Sequence, residues 1–342
     1  MKKKFAAKKL TWAATSAVVV LALTACGSGT QKLEDVDYDM KGATAEPSVG
    51  FETPFAATGN QTHIIEDGSG DQVNEGDALV LNASVFSGAD GKSQGSTYTS
   101  SPLIIEVNDQ LKENAPEIYD VVSQAKVGTS FSYTTNTTMG QDGTKSTSSP
   151  GSATNVEVYT ISQKLPSSVE GEQKDLGADK PKFTLEGNKA TLTLPENKGD
   201  EPKEVVTDDL ITGNGETVNE GDTVYARYIG VTWNDGKVFD QNYDAAPAAF
   251  QLSKDSLVEG WVEGLAGKKV GSRVMVTIPT DKAYGENAKE NQMPEGPLVF
   301  VVDILGRSDA PAATETQSAP AETGEASSAP AQSETPQPEE SK

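Results

Sequence analysis

Cysteine and histidine are almost missing from this chain of 342 residues, which has one of each, Cys26 and His63. A lone cysteine excludes an intrachain disulfide, and the pair supplies too few ligands for a Cys- or His-based zinc cluster. Serine-hydrolase chemistry lacks its base, because no partner motif surrounds His63, which reads as a surface or strand-edge residue. Basic residues are scarce too: 28 Lys and Arg stand against 51 Asp and Glu, for a formal net charge of −23. Phosphate backbones are gripped by clustered Lys and Arg, so this balance argues against nucleic acid as a partner. The acids do not form a calcium loop either, since Asp71 to Asp77 lacks EF-hand spacing. The glycine-rich stretch Gly140 to Gly151 lacks the Lys-Ser/Thr that a phosphate loop requires. The apolar run Ala17 to Ala25 is too short, with its flanks, to read as a membrane span.

That run has a different reading. Five lysines stand among the first nine residues, the apolar stretch follows, and small residues precede a break, which is the arrangement of a secretory signal peptide over 1–25. The string Leu23-Thr24-Ala25-Cys26 comes next. It resembles a bacterial lipobox, in which the cysteine is lipidated and becomes the new N-terminus. The resemblance implies an exported chain anchored through Cys26 to the outer face of the cell membrane, with 26–50 as a disordered linker. At the far end, Ser308 to Lys342 carries five prolines, much Ala, Ser, Thr and Glu, and no aromatic residue. Such a composition buries too little apolar surface to offset its ordering entropy, so 308–342 reads as a disordered tail.

An internal repeat organises the middle. Val73-Asn74-Glu75-Gly76-Asp77 recurs 145 residues later as Val218-Asn219-Glu220-Gly221-Asp222. Each copy follows a glycine-containing turn and precedes an alternating run of strand character. Further on, Ala125-Lys126-Val127-Gly128 parallels Lys268-Lys269-Val270-Gly271, again before a strand, Phe131 to Thr135 or Arg273 to Ile278. Terminal strands close both copies, Val156 to Ile161 and Leu298 to Leu305. Two homologous domains follow, 51–165 and 203–307, joined by an extension over 166–202 in which Lys182 to Leu194 has the pattern of a short strand or hairpin. Many short strands with few helical segments define an antiparallel α+β class. In the second domain Val258, Trp261, Val262 and Leu265 fall at i, i+3, i+4 and i+7, the pattern of one short amphipathic helix lying on the sheet.

Between 224 and 305 the second copy collects aromatic and aliphatic residues with no nucleophile: Tyr228, Phe239 beside Asp240, Phe250, Trp261, Tyr284 and Phe300. With its motifs V-Y-A-R-Y, G-K-V-F-D, L-V-E-G-W-V and A-Y-G, the segment resembles an FKBP-type peptidyl-prolyl isomerase domain. The resemblance implies two FKBP-like domains, each a curved antiparallel sheet wrapped round a short helix, and no cofactor or metal. It implies that Trp261 forms the floor under a prolyl ring, with Tyr228, Phe239 and Phe300 as walls assisted by Leu257 and Val258. The Val258 backbone N–H and the Tyr284 hydroxyl are expected to bind substrate carbonyls, and Asp240 to hold Tyr228 or face the twisting amide. Phe250 matches a core position behind the pocket, and Met293-Pro294 an apolar loop tip over the proline. Two departures stand out: Ala248 occupies a rim position that is commonly aromatic, and the loop Glu286 to Met293 is polar.

The first copy lacks these groups. By the repeat offsets, Ala83 stands for Tyr228, Gln94-Gly95 for Phe239-Asp240, Ile118 for Trp261 and Glu157 for Phe300. It therefore reads as non-catalytic, a spacer or a protein-binding module. The function implied is a monomeric isomerase acting on X–Pro bonds of secreted polypeptides. Its competitor is a non-catalytic FKBP-like binding or chaperone module, which needs the same pocket feature for feature, while the joint presence of Tyr228, Asp240, Trp261 and Tyr284 favours catalysis. A solute-binding lipoprotein, suggested by the lipobox alone, would need a longer chain with many more helices.

Overall fold

Each copy of the repeat ends in a strand that becomes the middle of its sheet. In the computed structural model, residues 31–310 are described apart from 43, 140–144, 150 and 287. The signal-peptide run, Cys26, the tail beyond Ala310 and part of the Gly140 to Gly151 stretch lie outside the described residues. The first half contains β1 (Asp37–Asp39), β2 (Ser48–Gly50), β3 (Gln61–Glu66), β4 (Ala78–Phe86), β5 (Ser93–Ser96) and β6 (Leu103–Glu106). Two short helices follow, α1 (Asp109–Asn114) and α2 (Pro116–Val122), then β7 (Ser130–Thr134), β8 (Thr137–Met139), β9 (Lys145–Thr147) and β10 (Val156–Leu165). The second half has β11 (Lys182–Glu186), β12 (Lys189–Thr193), β13 (Val206–Ile211), β14 (Thr223–Thr232), β15 (Val238–Gln241) and β16 (Ala248–Gln251). It closes with α3 (Glu259–Leu265), β17 (Arg273–Ile278) and β18 (Leu298–Ser308).

Two six-stranded antiparallel sheets result, with one strand order. The first runs β3-β7-β10-β4-β5 with β6 also on β4, and the second β13-β17-β18-β14-β15 with β16 also on β14. Register agrees to the residue. Ala83 pairs with Tyr159 and Val85 with Glu157 in the first sheet, where Tyr228 pairs with Val302 and Gly230 with Phe300 in the second. The shared pentapeptide folds identically in both places. The N–H of Asn74 donates to the Asp77 carboxylate at 2.8 Å and that of Asn219 to Asp222 at 2.7 Å. The intervening Gly76 and Gly221 take φ of 87° and 93°, a region that favours glycine.

On its concave face the second sheet packs Val224, Ala226, Val274, Val276, Phe300 and Val302 against Trp261, Val262 and Leu265 of α3. These helix positions are those of the expected apolar stripe. Two glycines let the helix lie close: a Cβ on Gly260 would fall 2.3 Å from Ile278, and one on Gly264 would fall 2.6 Å from Val276. The first copy carries Glu117 and Val121 at the matching helix positions, and its core gathers Leu79, Leu81, Phe131 and Ile161. It also has an additional helical turn, α1, where one short helix was expected.

The convex faces show a feature the sequence reading did not include. Phe183 and Leu192 of the β11–β12 hairpin pack on Ile229, Val231, Met275, Val299 and Val301 of the second sheet. On the first sheet, Leu33 and Val36 pack with Phe86, Val156 and Val158, and Tyr38 of β1 joins them. The Tyr38 hydroxyl also lies 2.7 Å from Ser132 of β7. Residues 31–50 are therefore not a disordered linker: Leu33 is 1% exposed. Burying these side chains on an otherwise open sheet face supplies the apolar gain that orders the segment.

Candidate active site

One end of the concave face of the second sheet is lined by aromatic rings, and each ring has a separate support. Tyr228 lies on β14, Phe239 on β15, Phe250 on β16, Trp261 in the first turn of α3 and Phe300 on β18. Alternation along β14 turns Tyr228 to the same side as Val224 and Ala226. Trp261 is 4% exposed and meets Tyr228, Phe250 and Phe300 at centroid distances of 5.6, 5.1 and 5.4 Å. Phe239 stands edge-to-face on Phe300 at 5.5 Å with an interplanar angle of 89°. Edge-to-face packing fixes each ring through its neighbours, giving rigid apolar walls. Leu257, Val258, Ala283 and Tyr284 are half-buried against this cluster.

Gly230, which the sequence reading did not select, sets how far the walls approach. A Cβ there would lie 2.6 Å from the Phe300 ring and 2.7 Å from that of Phe239. Val85 stands at this register in the first sheet, with no such pair of rings above it. Asn242 was also missed. Its Oδ1 accepts the Tyr228 N–H at 2.7 Å and its Nδ2 donates to the Ala226 carbonyl at 3.1 Å, which fastens the loop after β15 to β14. Neither residue carries a motif of its own, so only the register reveals them.

The polar groups surround the rings. The Tyr228 hydroxyl donates to the carboxylate of exposed Asp240. Burial, followed by this hydrogen bond and the negative charge of Asp240, pushes the Tyr228 phenol well above its ordinary range. Burial and the charge of Asp240 raise Tyr284 as well. Both phenols thus remain O–H donors across the physiological range. The Tyr284 hydroxyl and the Val258 N–H, at the N-cap of α3, have no acceptor among the described residues. Two donors free to receive carbonyls therefore border a dry floor.

Of the residues singled out from the sequence, Tyr228, Phe239, Phe250, Leu257, Val258, Trp261, Tyr284 and Phe300 converge here, with Asp240 at the edge. Met293 does not: it is 46% exposed and is not among the residues packed on the cluster. Its loop folds on itself instead, the Met293 N–H donating to the Ala288 carbonyl at 2.8 Å. Ala248 is half-buried opposite Ala226 and leaves the rim beside Phe250 without a ring.

The site is a pocket of interlocked aromatics with donors at its edge, and comparison with known proteins specifies the class. Residues 214–305 match the family described as FKBP-type peptidyl-prolyl cis-trans isomerase. A probable FK506-binding protein of Corynebacterium glutamicum is 35% identical over 117 residues, which cover 34% of this chain and 97% of that protein. The chain belongs to the FKBP-type peptidyl-prolyl cis-trans isomerase family. FK506-binding protein 4 of Neurospora crassa is 40% identical over 134 residues, 39% of this chain, and the match spans only 27% of that protein's length. A crystal structure of a peptidyl-prolyl cis-trans isomerase from Pseudomonas syringae pv. tomato is 31% identical, covering 31% of this chain and 76% of that one, with a TM-score of 0.28.

Proposed function

We propose that this chain catalyses cis–trans exchange at X–Pro bonds of exported polypeptides, using the aromatic pocket of the second sheet. The observation that carries this reading is the coincidence of a dry ring-lined floor with two free donors, Val258 N–H and Tyr284 Oη. Rotation about an X–Pro bond is slow because it breaks amide resonance, against a barrier of roughly 18–20 kcal/mol. The twisted amide has lost its charge separation, so an apolar pocket favours it over the planar forms. The proline ring rests on Trp261 between Phe239, Phe300 and Tyr228, while the two donors hold carbonyls flanking the rotating bond. Asp240 fixes the Tyr228 phenol through its hydrogen bond. Nothing is made or broken covalently, so no nucleophile is required.

The setting follows from the N-terminal sequence: export directed by 1–25 and acylation at Cys26 would hold the chain on the outer face of the membrane, where clients emerge extended. Leu33 is already packed on the first sheet, so few residues would separate the anchor from folded protein. A labelled fatty acid incorporated by the chain and lost in Cys26→Ala is the check on that anchor. The catalytic reading is tested by following an X–Pro tetrapeptide with the full chain. Asp240→Ala should lower kcat/KM about tenfold, near 1.4 kcal/mol. A folded chain that binds the peptide without accelerating exchange would mean a binding module instead.

A further inference from the structure

The two sheets are not separate beads, and their contact reaches the pocket. Ala78, Val80 and Leu165 of the first half form one buried cluster with Ile211, Tyr225 and Leu305 of the second. Tyr225 and Leu165 are each 1% exposed. Gly306 accommodates the approach, since a Cβ there would stand 2.7 Å from Leu165 Cδ2. Next to this apolar seat, Arg227 of β14 crosses between the halves. Its Nη2 donates to Glu106 Oε1 of β6 at 3.1 Å, and the two side chains are 12% and 27% exposed.

The same guanidinium holds a loop of its own half. Arg227 Nη1 donates to the carbonyls of Asn242 and Tyr243 at 3.2 Å each, and to that of Ala245. This loop joins β15, which carries Phe239 and Asp240, to β16, which carries Phe250. Asn242 in turn bonds the backbone of Tyr228 in both directions: its Oδ1 accepts the N–H at 2.7 Å, and its own N–H donates to the Tyr228 carbonyl at 3.1 Å. A carboxylate of the half without the aromatic pocket therefore connects through one arginine to a loop flanked by three pocket residues.

We infer that Glu106 is a positioning residue for the pocket of the second half, acting through Arg227 and the 242–245 loop. The first half is then part of the site's support rather than a spacer. Glu106 pairs with and orients a largely buried guanidinium that would otherwise have only loop carbonyls as hydrogen-bond acceptors, with the charge of Asp303 acting from the neighbouring strand, and a fixed guanidinium fixes the loop. The inference relies on the isomerase reading for what the pocket does, but not for the contact itself.

The test uses the full chain with Glu106→Gln, which keeps shape and removes charge. Amide hydrogen exchange in 238–246 should quicken roughly fivefold, with 273–278 unchanged as an internal reference. In an Arg227→Gln background, Glu106→Gln should add nothing, because the path between them is already cut. On an X–Pro peptide, Glu106→Gln should lower kcat/KM about threefold to fivefold, mainly through KM. Unchanged exchange in 238–246 of the folded variant would overturn the inference. So would a uniform rise that includes 273–278, which would mark Glu106 as merely stabilising. If the unmodified chain shows no turnover, the isomerase reading fails while the exchange result still decides the role of Glu106.

Discussion

The two halves share a strand order, a loop motif, a register and one ion pair, Lys164–Asp77 in the first and Arg307–Asp222 in the second, yet differ where the pocket rings and the buried Arg273–Asp303 pair stand. Where the second sheet sets Phe300 against Trp261, the first sets Glu157, whose carboxylate accepts the Tyr159 hydroxyl at 2.5 Å. Burial pushes that carboxyl above its usual range, with the tyrosine hydrogen bond opposing the shift. On the convex side, Arg273 and Asp303 form a buried bidentate pair at 2.6 and 2.7 Å. The residues at that register in the first sheet are Ser130 and Thr160, with hydroxyls 2.9 Å apart. Phe183 of the covering hairpin stacks 4.6 Å from the Arg273 guanidinium, and Gln173 accepts from its Nη1 at 3.1 Å. One backbone thus tolerates a neutral or an ionic solution on one face and an aromatic or a carboxylate solution on the other. The fold is specified by register and turns, and the pocket is a set of side chains added to it.

Exchanging residues between the copies tests that statement. The largest effect should come from Arg273→Ser, which leaves Asp303 buried without its partner at a cost of about 3–5 kcal/mol. Adding Asp303→Thr rebuilds the hydroxyl pair of the first sheet and should recover most of the loss in urea denaturation. If the double variant is no more stable than the single, contacts to Phe183 and Gln173, and not the charge, account for the cost. Next comes Trp261→Ile, which installs the residue that the repeat offset places in the first copy. It removes three ring contacts and should reduce kcat/KM about a hundredfold, near 2.7 kcal/mol, in a domain that NMR shows to be folded. Retention of half the activity would remove Trp261 from the proposed floor.

The smallest effect concerns the donors. Because the phenols of Tyr228 and Tyr284 are raised by burial and by Asp240, they remain protonated well above neutrality. The stability they contribute is present below their unfolded value near pH 10 and declines as pH rises through their higher folded values. Turnover should therefore be flat from about pH 6 to 9, and Tyr284→Phe should lower it about threefold at every pH in that window. A tyrosine-dependent limb inside the window would contradict the assignment.

The pocket was legible because its residues are large, apolar and carried by short motifs in a fixed order. The α3 stripe was legible because Trp261, Val262 and Leu265 share one helical face, whereas Val258, read with them, stands just outside the helix as its N-cap. The covers on the convex faces were harder to read. β1 is Asp-Tyr-Asp, three residues with one ring, too short for alternation to stand out. Its role depends on where Tyr38 falls over the sheet, which no local pattern encodes. The Glu106–Arg227 contact joins positions 121 apart in sequence, one charge among many on a highly acidic chain. Met293 was read from a loop resemblance, and the turns that fold its loop back are set by backbone hydrogen bonds that side-chain identity does not announce.

The placement of β18 governs the order in which the site can come into being. Among the described residues it is the last strand made, yet it sits between β17 and β14, so that Thr223 waits for Ser308 to complete its pairing. During synthesis, Tyr228, Phe239 and Trp261 emerge with no Phe300 to close the wall and no central strand to hold their sheets' edges together. Such pairing across distant sequence is slow relative to local structure. The first sheet, closed by its own β10, can be complete by then and present its apolar seat. A chain cut short of Leu298 would lack both the central strand of the second sheet and Phe300 of the pocket, so that partial synthesis yields a support with nothing to support.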